Sequence, residues 1–288
     1  MRCSAARVLG LTWSSAAAAV VTFVVVVSLL ITSPGARAAE PGAAEPEASE
    51  PFWREVWIGA DATSTSWLVY SGVTLSPLSG IHDDGPRLRF ATGYGGYRWR
   101  GRSQATDGTS ARGAGTTLFA DGLVGYLKRL GPLTAKAFAG VSLSGHTVTE
   151  LVQPLGIPVA PGEEPIDGRE VGAKAAIELW LNIGSQAWSS FDLNWTSAHD
   201  TYSARLRAAW RAWPTVSVGA EAIVNGDRRY DIGAFVAAPG FDHLERRGGA
   251  FARYEWFGGE VSLAGGVAST PGSDGVKPYA TLNWITQF

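Results

Sequence analysis

The chain has one cysteine, Cys3, within the first few residues of a segment expected to be removed on export. The remaining chain can form no disulfide, cysteine metal site or lipoprotein attachment, so packing and hydrogen bonds must hold its fold. Histidine is scarce. The four present, His82, His146, His199 and His243, show no metal-ligand spacing, and no glycine-rich loop leads from a strand into a helix. These absences argue against cofactor or metal chemistry. Charge is low and balanced, with 24 Lys and Arg against 26 Asp and Glu, a net charge of -2, so nothing supports a nucleic-acid partner. Beyond residue 31 no apolar stretch approaches the ~20 residues of a membrane helix. A chain of this kind can cross lipid only as a closed barrel, because lipid leaves no other way to satisfy backbone polar groups.

What is present fits an exported barrel. Arg2 and Arg7 precede an uncharged run from Ala16 to Ile31, followed by the small-x-small pattern Ala36-Arg37-Ala38. This predicts a secretory signal peptide over 1–38, with a mature start near Ala39. An inner-membrane anchor is the competing reading, and Val20–Ile31 is short for one. Residues 39–51, AEPGAAEPEASEP, carry no large apolar side chain and are expected to be a disordered leader. From residue 52 to 288 the texture is uniform, which predicts one domain of roughly 235 residues.

Within that domain apolar and polar side chains alternate with period two in segment after segment. In Pro86–Arg98 the apolar positions oppose Arg87 and Arg89. Leu133, Ala135, Ala137, Ala139, Val141 and Leu143 oppose Lys136 and Phe138, and Val171, Ala173, Ala175, Ile177, Leu179 and Leu181 oppose Glu170, Lys174, Glu178 and Trp180. Tyr202, Ala204, Leu206, Ala208 and Trp210 oppose Arg205, Arg207 and Arg211. A helix over 201–212 would scatter those arginines, whereas a strand gathers them on one side. The last ten residues put Ala280, Leu282, Trp284 and Thr286 opposite Thr281, Asn283 and Gln287, and end on Phe288. This reads as a closing strand whose terminal aromatic resembles the signal taken by the bacterial barrel-assembly machinery.

Short turns are expected at Arg129–Pro132, Trp213–Pro214 and Phe257–Gly259, and longer outside loops at Gly101–Gly115, Gly145–Gly168 and from Asn225 onward. A raw count gives about thirteen strands, but single-chain bacterial barrels have even numbers. Assigning Tyr230–Val236 to an outside loop gives a transmembrane, all-β, antiparallel up-and-down barrel of about twelve strands, within a range of about ten to fourteen. Of the twelve tryptophans, Trp53, Trp57, Trp67, Trp99, Trp188, Trp195, Trp210, Trp213, Trp256 and Trp284 fall near strand ends, where interfacial girdles would use them.

The inward, lumen-lining set is expected to be Arg87, Arg89, Asp121, Lys136, Glu170, Lys174, Glu178, Asp192, Arg205, Arg207, Glu221, Arg253, Glu255 and Glu260. Such interleaved charge suits either an internally paired interior or a narrow polar passage. Tyr94, Phe119, Phe138 and Trp180 are assigned inward as faces on which a sugar ring could stack, and Trp99 is a further candidate. Ser144 and His146 offer a weak lipid-hydrolase reading, with no orienting third group in sight.

The block Val56–Trp99 carries Gly59, Asp61, Tyr70, Gly72, Asp84, Gly85, Arg87, Arg89, Gly93, Tyr94, Gly95 and Tyr97 at characteristic spacings. It resembles the N-terminal half of the BcsS family of cellulose-biosynthesis proteins, and Gly122–Tyr126, Gly131-Pro132 and Ala137–Gly140 continue the pattern. The Pro-rich stretch Val152–Pro165 is where this chain departs from it. The resemblance implies a non-enzymatic accessory in the outer membrane of a Gram-negative bacterium, embedded in outer-membrane lipid. Its partners would be components of the cellulose synthase complex and the β-1,4-glucan itself, and its role a passage or an anchor. It brings no catalytic residue. An adhesive surface barrel, using the outside loops, is the alternative.

Overall fold

The computed structural model describes residues 52–100, 112–152, 167–226, 245–269 and 275–288; the side chains of 99, 100, 112 and 150–152 are outside the description. Twelve strands follow in chain order: β1 (Arg54–Thr63), β2 (Ser66–Leu75), β3 (Gly85–Arg100), β4 (Arg112–Leu130), β5 (Leu133–Val152) and β6 (Gly168–Ile183). They continue with β7 (Ala187–Thr196), β8 (Thr201–Trp213), β9 (Val216–Gly226), β10 (Glu245–Trp256), β11 (Gly259–Ser269) and β12 (Val276–Gln287). Each pairs antiparallel with its sequence neighbours, and β1 pairs with β12, closing the barrel. An even number brings both chain ends of the barrel to one rim. There Phe288 exchanges backbone bonds with Arg54, its N–H donating to the Arg54 carbonyl (2.9 Å) and its carbonyl accepting from Trp53 (2.8 Å).

Alternation explains the closure. Outward positions are apolar and open: Val171 is 71% exposed and Val124 62%, with Phe90, Val141, Leu206, Leu263 and Leu282 alongside. The intervening positions on the same strands, Arg89, Asp121, Ser142, Glu221 and Arg253, are buried. A chain with greasy side chains outside and charge inside is inverted relative to a soluble barrel, and only lipid makes that arrangement favourable. No helix among the described residues is long and apolar enough to cross a membrane.

Tight turns join β4 to β5, β6 to β7 and β10 to β11 at the rim that holds the chain ends. Gly131, Gly184 and Gly258 take positive φ (61°, 64° and 80°) at the β4–β5, β6–β7 and β10–β11 turns, where a side chain would be strained. The 201–212 segment is strand, as its arginine pattern predicts. At the far rim the strands run further than expected. β4 begins at Arg112 and β5 reaches Val152, so Gly113–Gly115 and Gly145–Val152 are ladder rather than loop. Polar residues there looked like loop because a strand that leaves the lipid no longer needs an apolar face. Tyr230–Val236, His243 and most of Val152–Pro165 lie outside the described residues, as do the proposed signal peptide and leader.

Two tryptophans assigned to the girdle are corrected. Trp188 and Trp57 sit at inward positions, Trp188 being 1% exposed. Their nearness to strand ends is real, but period-two phase rather than distance from the end decides the face. Trp53, Trp67, Trp195, Trp210, Trp213 and Trp284 are exposed, as a girdle requires.

Candidate functional site

The interior of the barrel is the candidate site, because the strand period aims most of the charge there. Near the rim that holds the chain ends, β3 presents Arg87 and Arg89. Arg87, 1% exposed, donates to the carbonyls of Gly80 (3.1 Å), Ile81 (3.1 Å) and Pro86 (2.9 Å), and to that of Asp83. It therefore fastens the 76–84 connection, with Ile81 buried, instead of lining open space. Arg89 donates to Thr74 (3.2 Å), lies 3.8 Å over the Phe138 ring and pairs with Glu178, which Lys136 reaches at 3.5 Å. Glu178 thus holds β3, β5 and β6 together.

A second cluster gathers β6, β7 and β10. Trp180 stacks on Trp188 with centroids 4.2 Å apart, and Trp188 packs on Phe251 at 5.6 Å while donating its ring N–H to Ser217 (3.1 Å). Arg253 extends over both indoles, at 4.6 and 5.1 Å, and pairs with Glu255 (2.8 Å) and Glu260. Further along, Lys174 pairs with Asp121, which also accepts from Ser142 (2.6 Å), and Lys174 lies 5.5 Å over Phe119. Glu221 accepts from Arg205 Nε (3.0 Å) and from the Tyr279 hydroxyl (2.9 Å). Arg207 lies over Phe251 at 5.6 Å, and Asp192 faces Glu178 on one side and Arg205 on the other by register.

Phe119, Phe138 and Trp180 are inward as expected; Tyr94 is not. It shares the outward phase of Phe90 and packs edge-on against the exposed Trp67 at 5.6 Å. The alternation that puts Arg89 inside puts Tyr94 outside, so its assignment to the interior is corrected. Of Trp99 only the backbone is described. Glu170 meets His199 at 3.2 Å. Ser144 and His146 share the inward phase of β5, turned away from lipid, so the hydrolase reading loses the membrane-facing geometry it needs. Among the described residues no group of three or more His, Cys, Asp or Glu could hold a metal.

The sequence reading missed a third charged cluster: Arg247 pairs with Asp61 (2.6 Å) and Glu245 (2.8 Å), and Thr281 donates to Asp61 (2.7 Å). Arg247 has the phase of Arg253, so the period was the available signal. Missed too was the meaning of the glycines. A Cβ on Gly59, Gly72 or Gly93 would collide with the ring of Tyr70, Trp57 or Phe119 respectively, each on the next strand. These glycines are the floors on which inward aromatics lie.

The barrel is similar to a KdgM porin, at 7% identity and TM-score 0.41, over 81% of this chain and 99% of that one. It is also similar to an outer membrane channel from Pseudomonas putida F1, at 14% identity and TM-score 0.40, over 86% and 100%. The transport unit of the autotransporter AIDA-I from Escherichia coli aligns at 10% identity and TM-score 0.43, over 86% and 93%. No curated protein matches the chain. The sequence model of the cellulose biosynthesis protein BcsS family matches residues 56–283, across β2 to β11 entire and most of β1 and β12. Gly59, Tyr70, Gly72 and Gly93, among the residues that carry the resemblance, lie in these interlocked glycine–aromatic contacts of the barrel wall, and the chain belongs to the BcsS family of cellulose biosynthesis proteins.

Proposed function

We propose that this chain is a non-enzymatic accessory of cellulose synthesis or export, delivered by a cleaved signal peptide to the outer membrane of a Gram-negative bacterium. Its role there is to anchor the apparatus, not to conduct the polymer. One observation supports the anchor over the passage: each of the three inward stacking candidates already carries a cation. Arg89 covers Phe138, Lys174 lies over Phe119, and Arg253 covers Trp180. A glucan passing through would have to displace these cations from rings and carboxylates together, leaving buried charge unpaired at several kcal/mol per ion. The apolar outer belt keeps the chain in lipid, and the rim with the chain ends would be offered to partners in the periplasm.

The test has two parts. Surface cellulose, measured by dye binding and cellulase-released sugar, should fall in a strain that lacks this protein and keeps its synthase, and recover with the intact chain. An unchanged yield would overturn the accessory role and favour a surface-adhesion barrel. The purified barrel should be silent in a planar bilayer. Conductance that falls when cello-oligosaccharide is added would replace the anchor with the passage.

A further inference from the structure

The outward face is apolar along the membrane belt but carries arginine toward one end of the wall formed by β3 to β6. Arg98 of β3 shares the phase of Phe90 and Tyr94, and Arg169 of β6 that of Val171 and Ile177; both arginines are exposed. They lie toward the rim opposite the tight turns, and because short turns mark the periplasmic side, that rim meets the outer leaflet. Neither guanidinium has a hydrogen bond, ion pair or ring contact among the described residues. No Asp or Glu with a described side chain takes the outward phase anywhere in β3 to β6. The rim with the chain ends is built otherwise. There the outward-phase cations are engaged, Lys128 by Asp84 and Arg54 by the rings of Phe288 and Trp53. Below the two free arginines the surface is an apolar bed. Trp67 of β2 lays its indole over Gly96, where a Cβ would stand 2.8 Å from the ring nitrogen, and meets Tyr94 edge-on at 5.6 Å. Leu118, Leu143 and Val171 are exposed beside them. Arg169 lies back over Gly145 of β5, where a Cβ would stand 3.3 Å from its Cγ, so its stem runs along the wall toward β3.

We propose that this face of β3 to β6 is a docking surface for a glycolipid of the outer leaflet that carries two phosphates, one for each arginine, with its acyl chains on the apolar bed. The proposal rests on the outer-membrane placement given above. On a surface that faces lipid, a cation with no carboxylate on its own face takes its counter-charge from a headgroup, and a guanidinium fork matches phosphate oxygens two at a time. Arg98 and Arg169 stand three strands and four residues apart by register. That is roughly 20 Å between their Cα positions at ordinary strand spacing and rise, too far for both forks to close on one phosphate group and suited to a headgroup that bears two. The bed beneath distinguishes a lipid from a free anion, because only a lipid has chains to lay on Leu118, Leu143 and Val171 while its headgroup meets the arginines.

Native mass spectrometry of the intact protein in detergent, titrated with diphosphoryl lipid A, with the same lipid freed of both phosphates, and with phosphatidylglycerol, tests this. The wild type should hold diphosphoryl lipid A more than about tenfold tighter than the dephosphorylated form. Arg98→Gln and Arg169→Gln should each weaken binding of diphosphoryl lipid A about tenfold, the loss of one charge-assisted contact, and leave binding of the dephosphorylated form unchanged. Lys128→Gln, at the other rim, should bind as the wild type does. Heat-modifiable mobility shows that each variant is folded, and the comparison of lipids on the wild type decides the matter where a variant is not. Equal affinity for the two forms of lipid A would overturn the proposal, and so would wild-type binding by either arginine variant. Phosphatidylglycerol held as tightly as diphosphoryl lipid A would also overturn it, leaving a general attraction for anionic lipid. A failed accessory role would show as unchanged surface cellulose, which these affinities do not touch, so the two results are read apart.

Discussion

At the scale of single residues the interior is a set of shared carboxylates, and the cost of a substitution depends on how many cations each one serves. Glu178 serves Arg89 and Lys136, so Glu178→Ala leaves two cations without their partner. A loss of about 3–5 kcal/mol is expected, as for breaking a buried pair, read from urea unfolding of the barrel in lipid. Glycines divide by what stands above them. Gly59→Val drives Tyr70 off the wall, and should reduce the yield of folded barrel in a heat-modifiable mobility assay. Gly248→Ala meets nothing within 4 Å and should match the wild type in the same assay.

At the scale of elements, connections at the end-bearing rim are fastened by side chains from neighbouring strands. Asp84, in the β2–β3 connection, accepts from Lys128 Nζ (2.6 Å) and from the Arg129 N–H (2.7 Å), tying that connection to the β4–β5 hairpin. The Lys128 hydrogen bond, then the Arg129 backbone bond, hold its carboxyl below its ordinary value of 3.8. A depressed carboxyl contributes stability that is present above that ordinary value and lost as pH falls through the lower folded one. Asp84→Asn should therefore weaken the dependence of unfolding on pH below about 4 and leave it unchanged near neutrality; because Asp84 is open to water the effect is small. The seam between β1 and β12 is the other dependent element. Arg54 lies 4.8 Å over the Phe288 ring and 5.2 Å from Trp53. Removing Phe288 takes away the last backbone pair and this cation–aromatic contact, and slower or incomplete barrel closure is expected in a refolding assay.

At the scale of the whole molecule, apolar side chains face outward and paired charge is turned to the barrel interior. Arg253→Ala with Trp188→Ala removes the reach of β10 over β6 and β7. If side chains alone close the lumen, this variant should conduct in a planar bilayer, and the intact barrel is expected to be silent there. If it supports the same surface cellulose as the intact chain, the role belongs to the rims and outer belt, and a filled lumen is not a requirement of export.

Much of this architecture was legible in the sequence because strand geometry has a period of two and lipid admits only one phase of it. That rule was enough for the barrel, its closing strand and the inward place of Arg89, Asp121, Glu178 and Arg253, while the count of about twelve strands needed the further expectation of an even number. Tyr94 and Trp188 went astray where ring chemistry or nearness to a strand end was weighed above phase. The pairings could not be read at all. Glu178 is 89 residues from Arg89, and Asp61 is 186 from Arg247. Their partnership depends on barrel register and closure, which bring distant strands together across the lumen. Sequence alone determined which side chains face inward; only the closed barrel decided which of them meet.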